Sequence, residues 1–190
     1  MTPVAPGGWD NARNLLCVRL DSIGDVLMTL PAIRSLRAAA PGRRVTLLTS
    51  PAGAEVAALA PEIDEVIPYT APWMKAALVS IDNLSFAAGL RDRGFDAACI
   101  FTVYSQSSLP AALLCQMAEI PLRAAYAREN PYHLLTHWQP EREPEYLVRH
   151  EVRRQLDLAA TLGAEPRPDQ RIAPGGTALA RAGALLARAG

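Results

Sequence analysis

Short apolar runs recur along the chain and alternate with longer stretches in which apolar positions return every third or fourth residue. Side chains alternate faces along a strand and return to one face about every 3.6 residues along a helix, so the short runs predict strands and the longer stretches helices. A first strand is expected at Leu15 to Leu20, followed by a Leu- and Ala-rich helix through Ala40 that Pro41-Gly42 stops. Strands at Val45 to Thr49 and Glu65 to Pro68 flank a short helix, Ala52 to Leu59. Thr70 to Ile81 has no clean period and reads as a loop. A helix from Asp82 to Arg93 ends at Gly94 and leads to a strand at Ala97 to Phe101; a helix at Leu109 to Ala118 leads to an extended run at Leu122 to Tyr126. Arg128 to Pro144 is irregular, and Pro144 to Leu162 carries a strong helical period closed by Gly163.

Alternating strands and helices, with strands apolar on both faces, predict an α/β fold: a Rossmann-like three-layer α/β/α domain with a mostly parallel sheet. The expected boundaries are a domain over 1–163, with 1–13 disordered, and a linker with a terminal helix over 164–190. The linker, AEPRPDQRIAPGG, is rich in Pro and Gly. The terminal helix, Thr177 to Ala189, is marginal alone, so it either packs back on the domain or opens a second one.

Composition narrows the class. Half of the residues are hydrophobic, enough for a full core, and the 19 basic residues balance the 19 acidic ones, so no global field favours nucleic acid or an anionic membrane. All of the cations except Lys75 are arginines. Cys17, Cys99 and Cys115 each sit in an apolar run without CxxC spacing, which reads as buried thiols in a reducing compartment. The amino terminus has no basic segment followed by an apolar one, and no apolar run nears the ~20 residues that cross a bilayer. A cytoplasmic location follows as the expectation.

One turn carries candidate chemistry. In RLDSIGDVLMTLP, residues 19–31, the strand gives way to Ser22-Ile23-Gly24-Asp25 where a helix should begin. Ser22 or Asp25 as a helix cap, worth ~1 kcal/mol, is one reading. The other is functional: in open α/β sheets the first such turn borders the ligand crevice. Gly24 would let the backbone approach a ligand or adopt positive φ. Pro31 lacks an amide hydrogen, so the helix either kinks there or begins near Thr29. The glycine fingerprints of dinucleotide and phosphate-loop sites are absent, which ranks a Rossmann-like oxidoreductase low.

The stretch from LLCVRLDSIGDVLMTLPAIRSLRAAAPG to PEIDEVIPY closely resembles the N-terminal half of glycosyltransferase family 9, the lipopolysaccharide heptosyltransferases and their relatives. The resemblance continues more weakly through FDAACIF and RHEVRRQLDLAATLG. It implies a GT-B enzyme, with two Rossmann-like domains facing across a cleft and a sugar passed from a nucleotide donor with inversion. Asp25 then matches the general base, which takes the acceptor hydroxyl's proton during attack. Arg19, Ser22, Ile23 and Gly24 of the same turn, Arg128 and His150 match positions on the acceptor side. Arg19 and Arg128 would grip an anionic group, and His150 would hydrogen-bond at the domain seam. An exposed Arg128 paired with Glu129 is the alternative.

His133 and His137 are four apart, but no third ligand is evident, so no metal is expected. Two features depart from the family. The segment holding Trp73 and Lys75 has a single cation where heptosyltransferases have a basic aromatic loop, and the turn after Ile100-Phe101 reads Thr102-Val103-Tyr104-Ser105-Gln106 in place of Asp-x-Gln-Gly.

The expected function is therefore the acceptor-binding half of an inverting glycosyltransferase, inactive alone. Its acceptor would be a glycan or lipid-linked sugar, including a lipopolysaccharide core. Its donor would be a nucleotide sugar such as ADP-heptose, presented by a second domain or a partner chain, with no other cofactor and no nucleic acid. The alternative is a non-catalytic glycan-binding or partner-dependent module. Dimerisation through uncovered apolar surface and a peripheral contact with the inner face of the membrane are left open.

Overall fold

The computed structural model describes residues 8–74, 82–169, 172–173 and 175–189. Its centre is a six-stranded, wholly parallel sheet: β1 (Asn14–Arg19), β2 (Arg44–Thr49), β3 (Glu65–Pro68), β4 (Ala97–Ile100), β5 (Leu122–Ala127) and β6 (His137–Pro140). The spatial order is β3-β2-β1-β4-β5-β6, so the direction of winding reverses between β1 and β4.

Alternation along the strands builds two cores. Leu15 and Cys17 of β1 face a layer made by α1 (Gly8–Asn11), α2 (Ile23–Ala38), α3 (Pro51–Ala57) and α6 (Glu151–Thr161). Leu16 and Val18 face α4 (Asn83–Arg91) and α5 (Leu109–Met117). Burial on both faces explains why β1, β2 and β4 read as continuous apolar runs. Cys17, Cys99 and Cys115 are free and buried, and burial pushes the Cys17 and Cys115 thiols up to about 12.

Several expectations need correction. Helix α2 begins at Ile23, well before Thr29, and runs through the buried Pro31; Ser35 Oγ donates to the Pro31 carbonyl at 2.8 Å. Residues 8–13 are structured, because Trp9 is buried and Arg43 donates to the carbonyls of Trp9 and Ala12. The stretch 128–144 contains β6, a half-exposed edge strand anchored by Trp138 Nε1 on the Ala127 carbonyl at 2.8 Å. Helix α6 begins at Glu151 rather than Pro144, since Glu143 Oε1 holds the amide and Nε of Arg149 and keeps the preceding segment out of helix. Residues 75–81, with Lys75, lie outside the described residues. Helix α7 (Gly176–Ala189) exposes Leu179, Leu185 and Leu186, so these do not pack back on the sheet. Among the described residues no helix is long and apolar enough to cross a membrane.

Candidate functional site

The reversal between β1 and β4 opens a cleft of about 400 Å³ at the carboxyl ends of the strands. Val18, Leu20 and Asp21 line it from the end of β1 and the turn after it, and Ile100, Phe101 and Thr102 from the end of β4 and the turn after it. Trp73 and Met74 close one flank, with Trp73 tilted against Tyr69 at 5.9 Å. Ligands of open α/β sheets bind in such a crevice because adjacent loops leave it in opposite directions.

Behind the cleft wall lies a charge cluster centred on Arg19. Its guanidinium is fully buried, with Nη2 on Asp25 Oδ1 at 2.9 Å and Nη1 on Glu151 Oε1 at 3.0 Å. Its Nε lies 2.9 Å from Asp21 Oδ2, close enough for an ion pair but at an angle unsuited to a hydrogen bond. Arg154, also buried, binds Glu141 through Nε at 3.1 Å and donates to the Thr102 carbonyl. Gln155 bridges the Thr102 carbonyl and Glu151.

Asp25 sits at the third position of α2. Its Oδ2 accepts from the Ser22 amide at 3.1 Å and the Ser22 hydroxyl at 2.7 Å, which makes the carboxylate part of the helix cap. Burial alone would raise its pKa, but the Ser22 and Arg19 hydrogen bonds and the Arg19 charge outweigh that and hold it below the ordinary value. The side chain is 20% exposed. Asp25 does not line the cleft; it shares Arg19 with Asp21, which does. Asp21 shifts the other way: burial raises its carboxyl, Arg19 and Gln106 oppose, and the carboxylates of Asp25 and Glu151 add to the rise.

The structure therefore keeps some anticipated residues together and separates others. Arg19 cannot touch an acceptor, because its guanidinium is enclosed and committed to carboxylates; it positions Asp21 and Asp25 instead. Ser22, Ile23 and Gly24 are exposed at the start of α2. Gly24 is helical without positive φ, and a Cβ there would meet only Ser22 Oγ at 3.8 Å, so the backbone does not require glycine. Arg128 lines a smaller recess beside the cleft and donates to the carbonyls of Tyr104 (3.2 Å) and Glu143 (2.5 Å), not to Glu129. Glu129 instead accepts from Ser107 Oγ at 2.6 Å.

His150 is exposed and caps α6, its Nδ1 accepting from the Val152 amide at 3.3 Å. His137 packs edge-on to Trp9 and contacts Thr136 Oγ1, and burial lowers its pKa. No group of three or more potential metal ligands comes together among the described residues. Sequence reasoning missed Asp21, Gln106 and Glu151. Asp21 carried a signal, as the first acid beyond β1; Gln106 lies in the turn noted for its departure from the family but was given no role there; Glu151 reaches the site from a distant segment and carried none.

No family model matches the sequence, and no curated protein matches it. Solved structures do. The glycosyl transferase family 9 structure from Veillonella parvula DSM 2008 superposes with a TM-score of 0.71 at 19% identity, over 90% of this chain and 47% of that one. The E. coli ADP-heptose lps heptosyltransferase II gives 0.62 at 21% identity, over 87% and 49%. E. coli heptosyltransferase WaaC with ADP-2-deoxy-2-fluoro heptose gives 0.61 at 21%, over 83% and 50%. At these identities the likeness establishes a shared fold, and this chain spans about half the length of those structures.

Proposed function

We propose that this chain is the acceptor-binding half of an inverting glycosyltransferase, with the sugar acceptor seated in the cleft between β1 and β4 and its reacting hydroxyl reaching past Asp21 to Asp25, the general base, which lies beside the cleft at the start of α2 and is partly exposed. The observation that carries the reading is the cleft itself: a cavity of about 400 Å³ at the strand reversal, backed by an arginine that aligns two carboxylates. The shared fold with glycosyltransferases adds support. The donor is a nucleotide-activated sugar, of which ADP-heptose is one candidate. It would be presented by a second domain or a partner chain, since the fold likeness covers about half of each relative.

The chemistry suits a held carboxylate. Asp25 Oδ2 is occupied by two Ser22 donors, and Oδ1 by one Arg19 nitrogen, which leaves a lone pair on Oδ1 for a hydroxyl proton. A carboxylate with a lowered pKa is too weak to deprotonate a free hydroxyl. Proton transfer therefore accompanies bond making at the anomeric carbon, and alignment supplies most of the rate. With the chain joined to a donor-binding domain, Asp25→Asn lowers kcat for sugar transfer by about 100- to 10,000-fold. Unchanged kcat would remove Asp25 as the base. Saturable NAD(H) binding in the cleft would replace the transferase reading with an oxidoreductase one.

A further inference from the structure

The cleft wall carries charge of one sign. Among the described residues that line it, Asp21 is the one acidic or basic side chain; its neighbours are apolar, aromatic, hydroxyl or amide. The carboxylate is held from both sides of the strand reversal, with Oδ2 against Arg19 and Oδ1 accepting from Gln106 Nε2 at 2.6 Å. Arg19 does not cancel this charge, because it also serves Asp25 and Glu151. With Arg154 facing Glu141, two buried guanidiniums meet four carboxylates, an excess of two formal negative charges. Solvent screens such a cluster less than it screens surface charge.

The helix start beside the cleft does little to offset it. Such a terminus ordinarily welcomes a phosphate through its free amides. In α5, Pro110 has no amide hydrogen and the Leu109 amide donates to Ser107 Oγ at 3.3 Å.

We propose that Asp21 is the specificity-determining residue of this cleft, selecting an acceptor sugar without anionic substituents, an amino sugar above all, and rejecting phosphorylated or acidic ones. The inference rests on the reading of the cleft as an acceptor site. Gln106 uses one lone pair of Asp21 Oδ1, and the other is available to a sugar hydroxyl or ammonium. An ammonium there forms a charge-assisted hydrogen bond; a phosphate meets a like charge, the repulsive element on which discrimination depends. Trp73 and Met74 offer the sugar ring an apolar flank.

The test is calorimetric titration of the whole 190-residue chain with glucosamine, glucose and glucose 6-phosphate at neutral pH. Glucosamine should bind tightest and glucose 6-phosphate weakest, about tenfold apart. Asp21→Asn should bring the three within about twofold of one another by removing the discriminating charge. Gln106→Lys, at an exposed position that spares the core, should reverse the order. Glucose 6-phosphate binding as tightly as glucosamine to the unaltered chain, or an order that survives both variants, overturns the selectivity but leaves the acceptor site standing. Failure of all three sugars to bind overturns both.

Discussion

At the carboxyl edge of the sheet Arg19 is buried against three carboxylates, whereas at the amino edge Arg43, almost as enclosed, donates to the main-chain carbonyls of Trp9, Ala12 and Leu36. Each edge also has a recess of about 400 Å³, so size does not distinguish them. Chemistry does. Carbonyls are neutral and do not titrate, so Arg43 acts as a clamp that fastens α1 and the end of α2 to the sheet. The carboxylates around Arg19 outnumber the cations, which leaves charge to act on a ligand. In the amino-edge recess the arginines are largely spent on structure: Arg34 pairs with Glu62 and Arg37 with Asp64.

Removing each arginine should separate the two roles most strongly. Arg19→Met leaves three carboxylates without their buried cation and should cost about 3–5 kcal/mol in denaturant unfolding at neutral pH. Arg43→Met leaves carbonyls unsatisfied and should cost on the order of 3 kcal/mol. Acid discriminates between them. Without Arg19, which opposes the rise that burial imposes, the folded-state pKa of Asp21 moves further above its unfolded value, so that carboxyl favours the folded state at low pH and this stability is lost as pH rises. In the unaltered protein Asp25 behaves oppositely: its lowered pKa contributes stability above the ordinary carboxylate value of about 4, lost as pH falls through the folded value. The Arg19→Met deficit should therefore shrink between about pH 7 and 4, and the Arg43→Met deficit should not. Parallel deficits would erase the distinction.

A smaller effect sharpens the same contrast. Ser50 caps α3 by accepting from the Gly53 amide at 3.0 Å and donates to the Asp21 carbonyl at 2.6 Å, tying the carboxyl-edge turn to its neighbour. Ser50→Ala should cost about 1 kcal/mol in thermal unfolding. It should also weaken glucosamine binding, since the turn that carries Asp21 loses an anchor. A stability loss with unaltered binding would show that the turn keeps its shape without the tie.

Much of this architecture is legible in the pattern of residues. The continuous apolar runs of β1, β2 and β4 mark strands covered on both faces, and Ser22 with Asp25 marks the start of α2. The edge strand β6 is not legible, because half-exposed residues such as His137 and Gln139 leave no apolar run. The early part of the helix expected from Pro144 misleads because Glu143 overrides local periodicity through bonds to Arg149. Asp25 is visible from its turn alone. Its environment is not, because Arg19 and Glu151 are 132 positions apart, and Asp21 and Gln106 are 85. Such pairings are set by strand order, which no local spacing reveals. For the same reason Arg19, at a strand end beside the crevice, reads as a ligand contact until the sheet encloses it.

The most direct measurement is a residue-resolved NMR titration of the whole chain with glucosamine, because it asks which edge of the sheet a sugar occupies. The account predicts saturable shifts at the amides of Asp21 and Thr102, the side-chain amide of Gln106 and the indole of Trp73, with Arg34 to Arg44 unmoved. Shifts confined to the arginine recess, or none at the carboxyl edge, would contradict it.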